Sequence, residues 1–394
     1  MKRKVIIKSN LTDISNFAKM IPTRLAHFEN GSSAPIPKEY AVNKLAKLIH
    51  PEILHLTVKD IVPRGESAKS FILVSSDDTP LAPFIAGQYL TVKLSIGDSC
   101  VTRPYSLAST PNDARNGFYN ITVKRTSEGF VSDYILDNLK IGDKIDAYPP
   151  EGTFTYEPIR DAETIVGVAG GSGITPFLSI AGSIADGTTD AKMILLYGAK
   201  NEEEILFRDE LDTLSKNENI SVVYVLSDSK KKGYEHGFIG AELISKYAPE
   251  KYSLFICGPK AMYEFVGKEV EKLGLRHKFV RFELFPSGSD ADKIKGFPKD
   301  MANLKFNITV KKDGKETVIP CISNESILVA FERAGIDAPA RCRSGVCGFC
   351  RSKLISGKVY IPEDTDGRRI ADIKFGYIHP CSTYPLSDLK VKIN

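Results

Sequence analysis

Cys342, Cys347 and Cys350 stand in the spacing C-x4-C-x2-C, and Cys381 follows after thirty intervening residues. Nothing else in the chain restricts its structure so sharply. Two irons need four thiolates, and this is the plant-type [2Fe–2S] spacing, in which one tight loop supplies three ligands and a distant residue the fourth. The loop reads Arg343-Ser344-Gly345-Val346 and then Gly348-Phe349. Its glycines let the backbone turn sharply and bring N–H groups towards the sulfurs. Zinc is the competing occupant, but zinc ribbons usually pair two short Cys-Cys spacings. The segment therefore reads as a one-electron centre.

The 394 residues allow two or three domains with ample core. A hydrophobic share of 42% and a charged share of 26% are ordinary for a globular protein. A formal charge of only +4, with no basic amphipathic stretch standing out, gives no case for nucleic acid. Three further cysteines, Cys100, Cys257 and Cys321, form no pairing scheme, which fits a reducing, cytoplasmic setting better than a disulfide scaffold. The basic start Met1-Lys2-Arg3-Lys4 is followed by too short an apolar run for a signal peptide. Ile165 to Ala185 carries no charge, yet its glycines and Pro176 read as strand, turn and helix start rather than a membrane span.

Residues 1–50 match no motif; Leu11 to Phe28 and Tyr40 to Ile49 are expected as helices. From residue 51 to 158 short alternating runs (Leu54–Val58, Ser70–Val74, Asn120–Lys124) predict an antiparallel barrel or sandwich. From 159 to 286 the runs become continuous and apolar: Thr164–Val168, Met193–Tyr197, Ser221–Val225 and Tyr252–Ile256. Helical stretches such as Glu204 to Leu214 separate them, implying a parallel sheet covered on both faces. A linker rich in Gly, Pro, Ser and charge spans 287–303. The segment 304–394 opens with a hairpin around Asp313-Gly314 and a helix near Ser326 to Ala334.

Gly170-Gly171-Ser172-Gly173 follows a strand, and Thr175 and Pro176 suit the cap and first position of a helix. Orphan N–H groups at such a start can take a diphosphate, although the turn is not a G-x-G-x-x-G fingerprint and could equally serve strand–helix packing. Cys257-Gly258-Pro259, with Met262 beyond, ends the last strand run, where open α/β sheets bind ligands; a buried structural Cys is the plainer alternative. In Arg103-Pro104-Tyr105-Ser106 the Arg suits a phosphate, the Tyr a flat ring and the Ser a ring nitrogen.

Together these pieces resemble the ferredoxin–NADP reductase-like flavoprotein reductases that carry a C-terminal plant-type ferredoxin domain. That group includes reductase components of ring-hydroxylating and phenylacetyl-CoA oxygenases and the hybrid-cluster-protein reductase. The markers run in order over residues 52–394: Gly87-Gln88-Tyr89, Arg103-x-Tyr105-Ser106, Val123-Lys124-Arg125, Gly129-x-x-Ser132, Pro150-x-Gly152-x-Phe154, Gly170 to Pro176, Cys257-Gly258-Pro259, Glu283-x-Phe285 and the four cysteines. The resemblance implies three modules: an antiparallel β-barrel flavin domain, an α/β parallel-sheet nucleotide domain and an α+β β-grasp ferredoxin domain.

By the same resemblance Arg103, Pro104, Val123, Lys124 and the run Gly129-Phe130-Val131-Ser132 would serve the flavin and its phosphate. Tyr105 would lie against the isoalloxazine and Ser106 would approach its N5. Gly170 to Gly173, Thr175, Pro176, Gly258, Pro259, Met262 and Phe285 would serve the nucleotides; Cys257 and Glu283 would flank the hydride-transfer site. The hydride chemistry itself belongs to the cofactors. FAD is favoured over FMN. Asp228 would repel a 2′-phosphate whereas Lys230-Lys231-Lys232 could attract one, and the balance favours NADH over NADPH.

The implied function is an NAD(P)H-dependent reductase that passes electrons through flavin and cluster to a protein acceptor, with neither nucleic-acid partner nor membrane span. An electron-transfer subunit of a larger complex is the alternative, and a redox sensor without turnover a third. Arg341, Arg343 and Arg351 flank the cluster loop and could tune it, dock an acidic partner or be merely solvated. His379 reads as structural, since four cysteines already suffice.

Overall fold

The computed structural model describes residues 11–31, 40–126, 129–283 and 291–393. Two compact units divide the chain, Met1–Ala46 and Lys47–Asn394. In the first, apolar residues recur at helical spacing (Leu11, Ile14, Phe17, Ile21, Leu25, Phe28) along α1, Leu11–Glu29, and every one of them is exposed. α2 covers Ala41–Ile49.

The larger unit begins with six strands, β1 Leu54–Arg64, β2 Ala68–Ser75, β3 Tyr89–Ile96, β4 Ser99–Ser106, β5 Tyr119–Lys124 and β6 Lys144–Glu151. They pair antiparallel in the order β4-β3-β6-β1-β2-β5. An isolated bridge between Leu107 and Ile121 brings the two edges together, so the sheet closes as a barrel. Alternate residues point inward, and Leu56, Val58, Leu73, Leu90, Val92 and Tyr119 fill the interior. Two helices, α3 Pro111–Arg115 and α4 Phe130–Asn138, flank β5.

Strands β7 Thr164–Gly170, β8 Lys192–Ala199, β9 Ile220–Leu226, β10 Glu235–His236, β11 Ser253–Cys257 and β12 Val280–Glu283 form an all-parallel sheet in the order β10-β9-β8-β7-β11-β12. Ile165 and Ala169 enter the core on one face, and Val166 and Val168 that on the other. This explains the unbroken apolar runs. Covering helices are α5 Thr175–Ala185, α6 Arg208–Leu214, α7 Ala241–Tyr247 and α8 Lys260–Lys272. The helix expected from Glu204 starts only at Arg208, because Phe207 sits in the left-handed region at φ 59°. The barrel joins this sheet through Phe154, whose ring lies 5.5 Å from that of Phe177 and 5.1 Å from that of Phe255, both edge-on.

The last module holds β13 Lys305–Lys312, β14 Lys315–Ile322, β15 Ser352–Ser356, β16 Val359–Tyr360, β17 Tyr377–Ile378, β18 Tyr384–Pro385 and β19 Leu389–Ile393. Five of them make a mixed sheet, β14-β13-β19-β15-β17, in which β13 and β19 run parallel. Helix α9, Ile327–Arg333, packs its Ile327, Leu328 and Phe331 into the core of this sheet, and α10 spans Ile370–Lys374. Ser326 caps α9 by accepting from the Val329 N–H. No helix among the described residues is long and apolar enough to cross a membrane.

Candidate functional site at the junction of three modules

The cluster loop is shaped by three residues in the left-handed region, Arg343 at φ 59°, Gly345 at 81° and Gly348 at 73°. The turn carries the N–H groups of Ser344 and Cys347 to 3.4 Å from the Cys342 sulfur, and that of Phe349 to 3.5 Å from Cys347. A side chain at Gly345 would come within 2.4 Å of the Thr365 carbonyl, so only glycine fits. Cys381 arrives on a short turn, Pro380–Ser382, with its sulfur 3.4 Å from that of Cys350. Cys342 and Cys347, joined by the Cys347 N–H bond to the Cys342 sulfur at 3.4 Å, form the second pair. Among the described residues no three His, Cys, Asp or Glu side chains gather as the ligand set of one metal ion. Two thiol pairs with N–H donors aimed at sulfur instead suit a two-iron centre, two thiolates to each iron. His379 is buried, and its Nδ1 donates to the Gly345 carbonyl at 2.6 Å, a structural brace for the loop.

A cavity of about 860 Å3 opens where barrel, parallel sheet and ferredoxin module meet. The barrel contributes Pro104, Tyr105, Ser106 and Lys124; the parallel sheet contributes Gly170 to Gly173, Thr175, Cys257 to Pro259 and Glu283. Arg343, Cys381 and Ser382 line it from the ferredoxin module, so a cluster ligand forms part of the wall. The sheet's residues lie at the carboxyl ends of β7, β11 and β12, where such sheets bind ligands. Gly173 allows the closest approach: a Cβ there would lie 2.2 Å from the Cys257 carbonyl oxygen. Thr175 is not the cap expected from sequence. It is the first residue of α5, and its hydroxyl donates to the Ser172 carbonyl at 3.0 Å.

Burial dominates the electrostatics here. It pushes the Glu283 carboxyl up to about 8, raises the Tyr105 phenol to about 12, and keeps the Cys257 thiol well above the ordinary range.

A second cavity of about 620 Å3 adjoins the first, sharing Lys124, Gly170, Gly171 and Pro259 with it. Asp228 and Met262 line it, as do Phe238 and Phe265, whose rings stand 5.8 Å apart. The two aromatic residues were not singled out from sequence. The only signal the sequence carries for them is the turn-forming Gly237 beside Phe238. Nearby, the Lys231 ammonium is engaged by Glu202, which also accepts from the Tyr234 hydroxyl at 2.6 Å. Lys231 thereby holds the Glu202 carboxyl down to about 2.

Several expected site residues stand elsewhere. The Arg103 guanidinium does not line either cavity; it bonds the Thr102 carbonyl at 2.7 Å and the Glu332 carboxylate at 3.2 Å. Val123 lies in the barrel core, Pro176 is buried in α5, and Gly129, Phe130, Val131 and Ser132 form the start of α4 outside both cavity walls. Phe285 lies outside the described residues.

A barrel, a parallel sheet with a glycine turn and a four-cysteine grasp module, converging on one cavity, define a modular flavin- and nicotinamide-linked reductase. Comparison with known proteins specifies the family. An oxidoreductase FAD-binding domain model matches residues 55–156, an oxidoreductase NAD-binding domain model 168–268 and a 2Fe-2S iron-sulfur cluster binding domain model 310–386. The ferredoxin reductase component of 3-ketosteroid-9-alpha-monooxygenase from Rhodococcus rhodochrous is 30% identical over 352 residues, covering 86% of this chain and 96% of that one. The NADH oxidoreductase HCR of Escherichia coli is 28% identical over 310 residues, 78% and 88% of the two chains. Phthalate dioxygenase reductase, a modular structure for electron transfer from pyridine nucleotides to [2Fe-2S], superposes with a TM-score of 0.62 at 26% identity, over 87% of this chain and 98% of its own. The chain belongs to the iron–sulfur flavoprotein reductases, the ferredoxin-reductase components that join FAD-, NAD- and [2Fe–2S]-binding domains. It is an NAD(P)H-dependent oxidoreductase that delivers electrons to a protein acceptor.

Proposed function

We propose that this chain is an NADH-preferring reductase whose acceptor is a separate oxygenase component, the partner class that its relatives' names record. The observation that carries the relay is that Cys381 lines the same cavity as Tyr105, Ser106, Cys257 and Glu283. FAD, when bound, takes two electrons as hydride and releases them singly, which matches a two-electron donor to a one-electron cluster.

The protein's part is positioning. Tyr105 offers its ring face and Ser106 its hydroxyl to the flat flavin ring, while Cys257 and Glu283 close the opposite wall around the nicotinamide. The glycine turn and the start of α5 offer N–H groups to diphosphate, with Lys124 and Arg125 supplying cationic charge. Phe238 and Phe265 take the adenine, and Asp228 the ribose hydroxyls. Asp228 disfavours a 2′-phosphate there, and the engagement of Lys231 by Glu202 withdraws a cation that would favour one. The four cysteines hold the cluster.

Steady-state reduction of ferricyanide with NADH and NADPH in parallel tests the nucleotide assignment. The expected result is a kcat/KM at least tenfold higher with NADH; equal values or a preference for NADPH would refute it. Reconstitution with purified oxygenase components, followed by product formation, tests the acceptor. Absence of turnover with a competent, independently active oxygenase would refute that half.

A further inference from the structure

We propose that Glu332 is a positioning residue that locks the ferredoxin module onto the flavin barrel and thereby sets the cluster loop for electron transfer. The proposal rests on the relay read above. Glu332 sits near the end of α9, where a charged residue ordinarily faces water, yet it is only 4% exposed. Its carboxylate serves another module. It accepts from the Thr102 N–H at 3.1 Å and from the Arg103 guanidinium at 3.2 Å, both on β4 of the barrel. The same carboxylate accepts from the Arg343 guanidinium at 2.5 Å, and Arg343, only 2% exposed, directly follows Cys342. One side chain thus ties the cluster loop to the strand that leads into Tyr105 and Ser106.

Two further pairs surround this centre without matching the burial of Glu332 and Arg343. Lys93 meets Asp337 at 2.8 Å and Arg341 meets Glu151 at 2.6 Å, both across the same boundary. Partly solvated pairs of that kind are screened and worth little. The buried group differs, because removing the carboxylate strips the anionic partner from the Arg343 guanidinium, itself only 2% exposed, and leaves it beside the partly exposed Arg103. Directional bonds also fix orientation, which apolar packing alone does not. Orientation matters here, since the contact between barrel and ferredoxin module sets the gap the electron crosses between flavin and cluster. The step so positioned is the passage of one electron from reduced flavin to oxidised cluster; no bond forms or breaks, and Glu332 gains and loses nothing.

The test uses the cofactor-loaded protein and the variants E332Q and E332D. Anaerobic rapid mixing with NADH separates flavin bleaching from cluster bleaching, and hydrogen exchange reads the Thr102 amide. E332Q is expected to slow the second phase at least tenfold, leave the first within twofold, and raise exchange across 99–106 but not in the strands of the parallel sheet. E332D is expected to lie between E332Q and wild type. An unchanged second phase, or exchange that rises equally in the parallel sheet, would overturn the proposal. Should E332Q fail to load its cofactors, E332D decides by the same criteria. Failure of wild type to accept hydride from NADH would sink the NADH reading instead, while exchange at Thr102 would still decide the role of Glu332.

Discussion

Cys257 and Glu283 are register partners on the neighbouring parallel strands β11 and β12, and both line the central cavity. Glu283 brings a carboxyl that burial raises to about 8. It therefore holds its proton at neutral pH in the folded chain, whereas the unfolded chain ionises it near 4.5. Folding stability linked to this group is complete below the unfolded value and is lost as pH climbs from there through about 8. Replacing Glu283 by Gln should raise Tm at pH 8 by ~2–4 °C and leave it nearly unchanged at pH 5. Calorimetry at the two pH values checks this; equal shifts would show that the carboxyl ionises freely.

The close approach at Gly173 predicts a sharper effect on catalysis. A Cβ there meets the Cys257 carbonyl, a backbone atom with little freedom to move. Gly173→Ala should lower NADH-dependent flavin reduction more than tenfold. The cluster lies in another module, so its electron paramagnetic resonance spectrum after dithionite reduction should be unchanged. A variant with wild-type hydride transfer would show that the glycine turn only packs.

Nucleotide preference should respond to two acidic side chains. Asp228→Ser removes the charge lining the second cavity, and Glu202→Ala releases the Lys231 ammonium. Each should raise kcat/KM for NADPH by about tenfold, equivalent to ~1.4 kcal/mol. The double variant should exceed either alone. Steady-state kinetics with both nucleotides read the change, and a loss with NADH without any gain with NADPH would contradict the assignment.

Cluster ligation separates from flavin chemistry in the Cys381→Ser variant. Its iron content and reduced-cluster signal should fall, while NADH should still bleach the flavin band. Electron delivery to a protein acceptor should drop at least tenfold. Metal analysis, spectroscopy and acceptor assays report these independently. Full cluster occupancy in the variant would require a different fourth ligand.

Much of this architecture is legible in the chain because its signals are local. Alternation in Asn120–Lys124 marks a half-buried strand, the unbroken run in Thr164–Val168 marks one covered on both faces, and the cysteine spacing needs no tertiary information. What escapes depends on distant partners. Glu332 ends the heptapeptide Ile327–Arg333 one residue early and looks like a solvated position; only the approach of Thr102, more than two hundred residues away, buries it. Arg103 reads as a phosphate ligand, and its bond to Glu332, 229 residues further along the chain, has no local signal. Thr175 misses the cap position because the glycine turn tightens into a short 3-10 turn, Gly171–Ile174, ahead of the helix. Phe238 and Phe265 lie 65 and 92 residues beyond Gly173, and come together only when β10 and α8 flank the same cavity.

An anaerobic absorption titration of the cofactor-loaded protein with NADH tests the central claim most directly. The account predicts that NADH alone bleaches both the flavin and the iron–sulfur bands, with three electrons accepted per chain, two by the flavin and one by the cluster. Bleaching of the flavin alone, with the cluster reduced only by dithionite, would contradict an internal relay through the shared cavity.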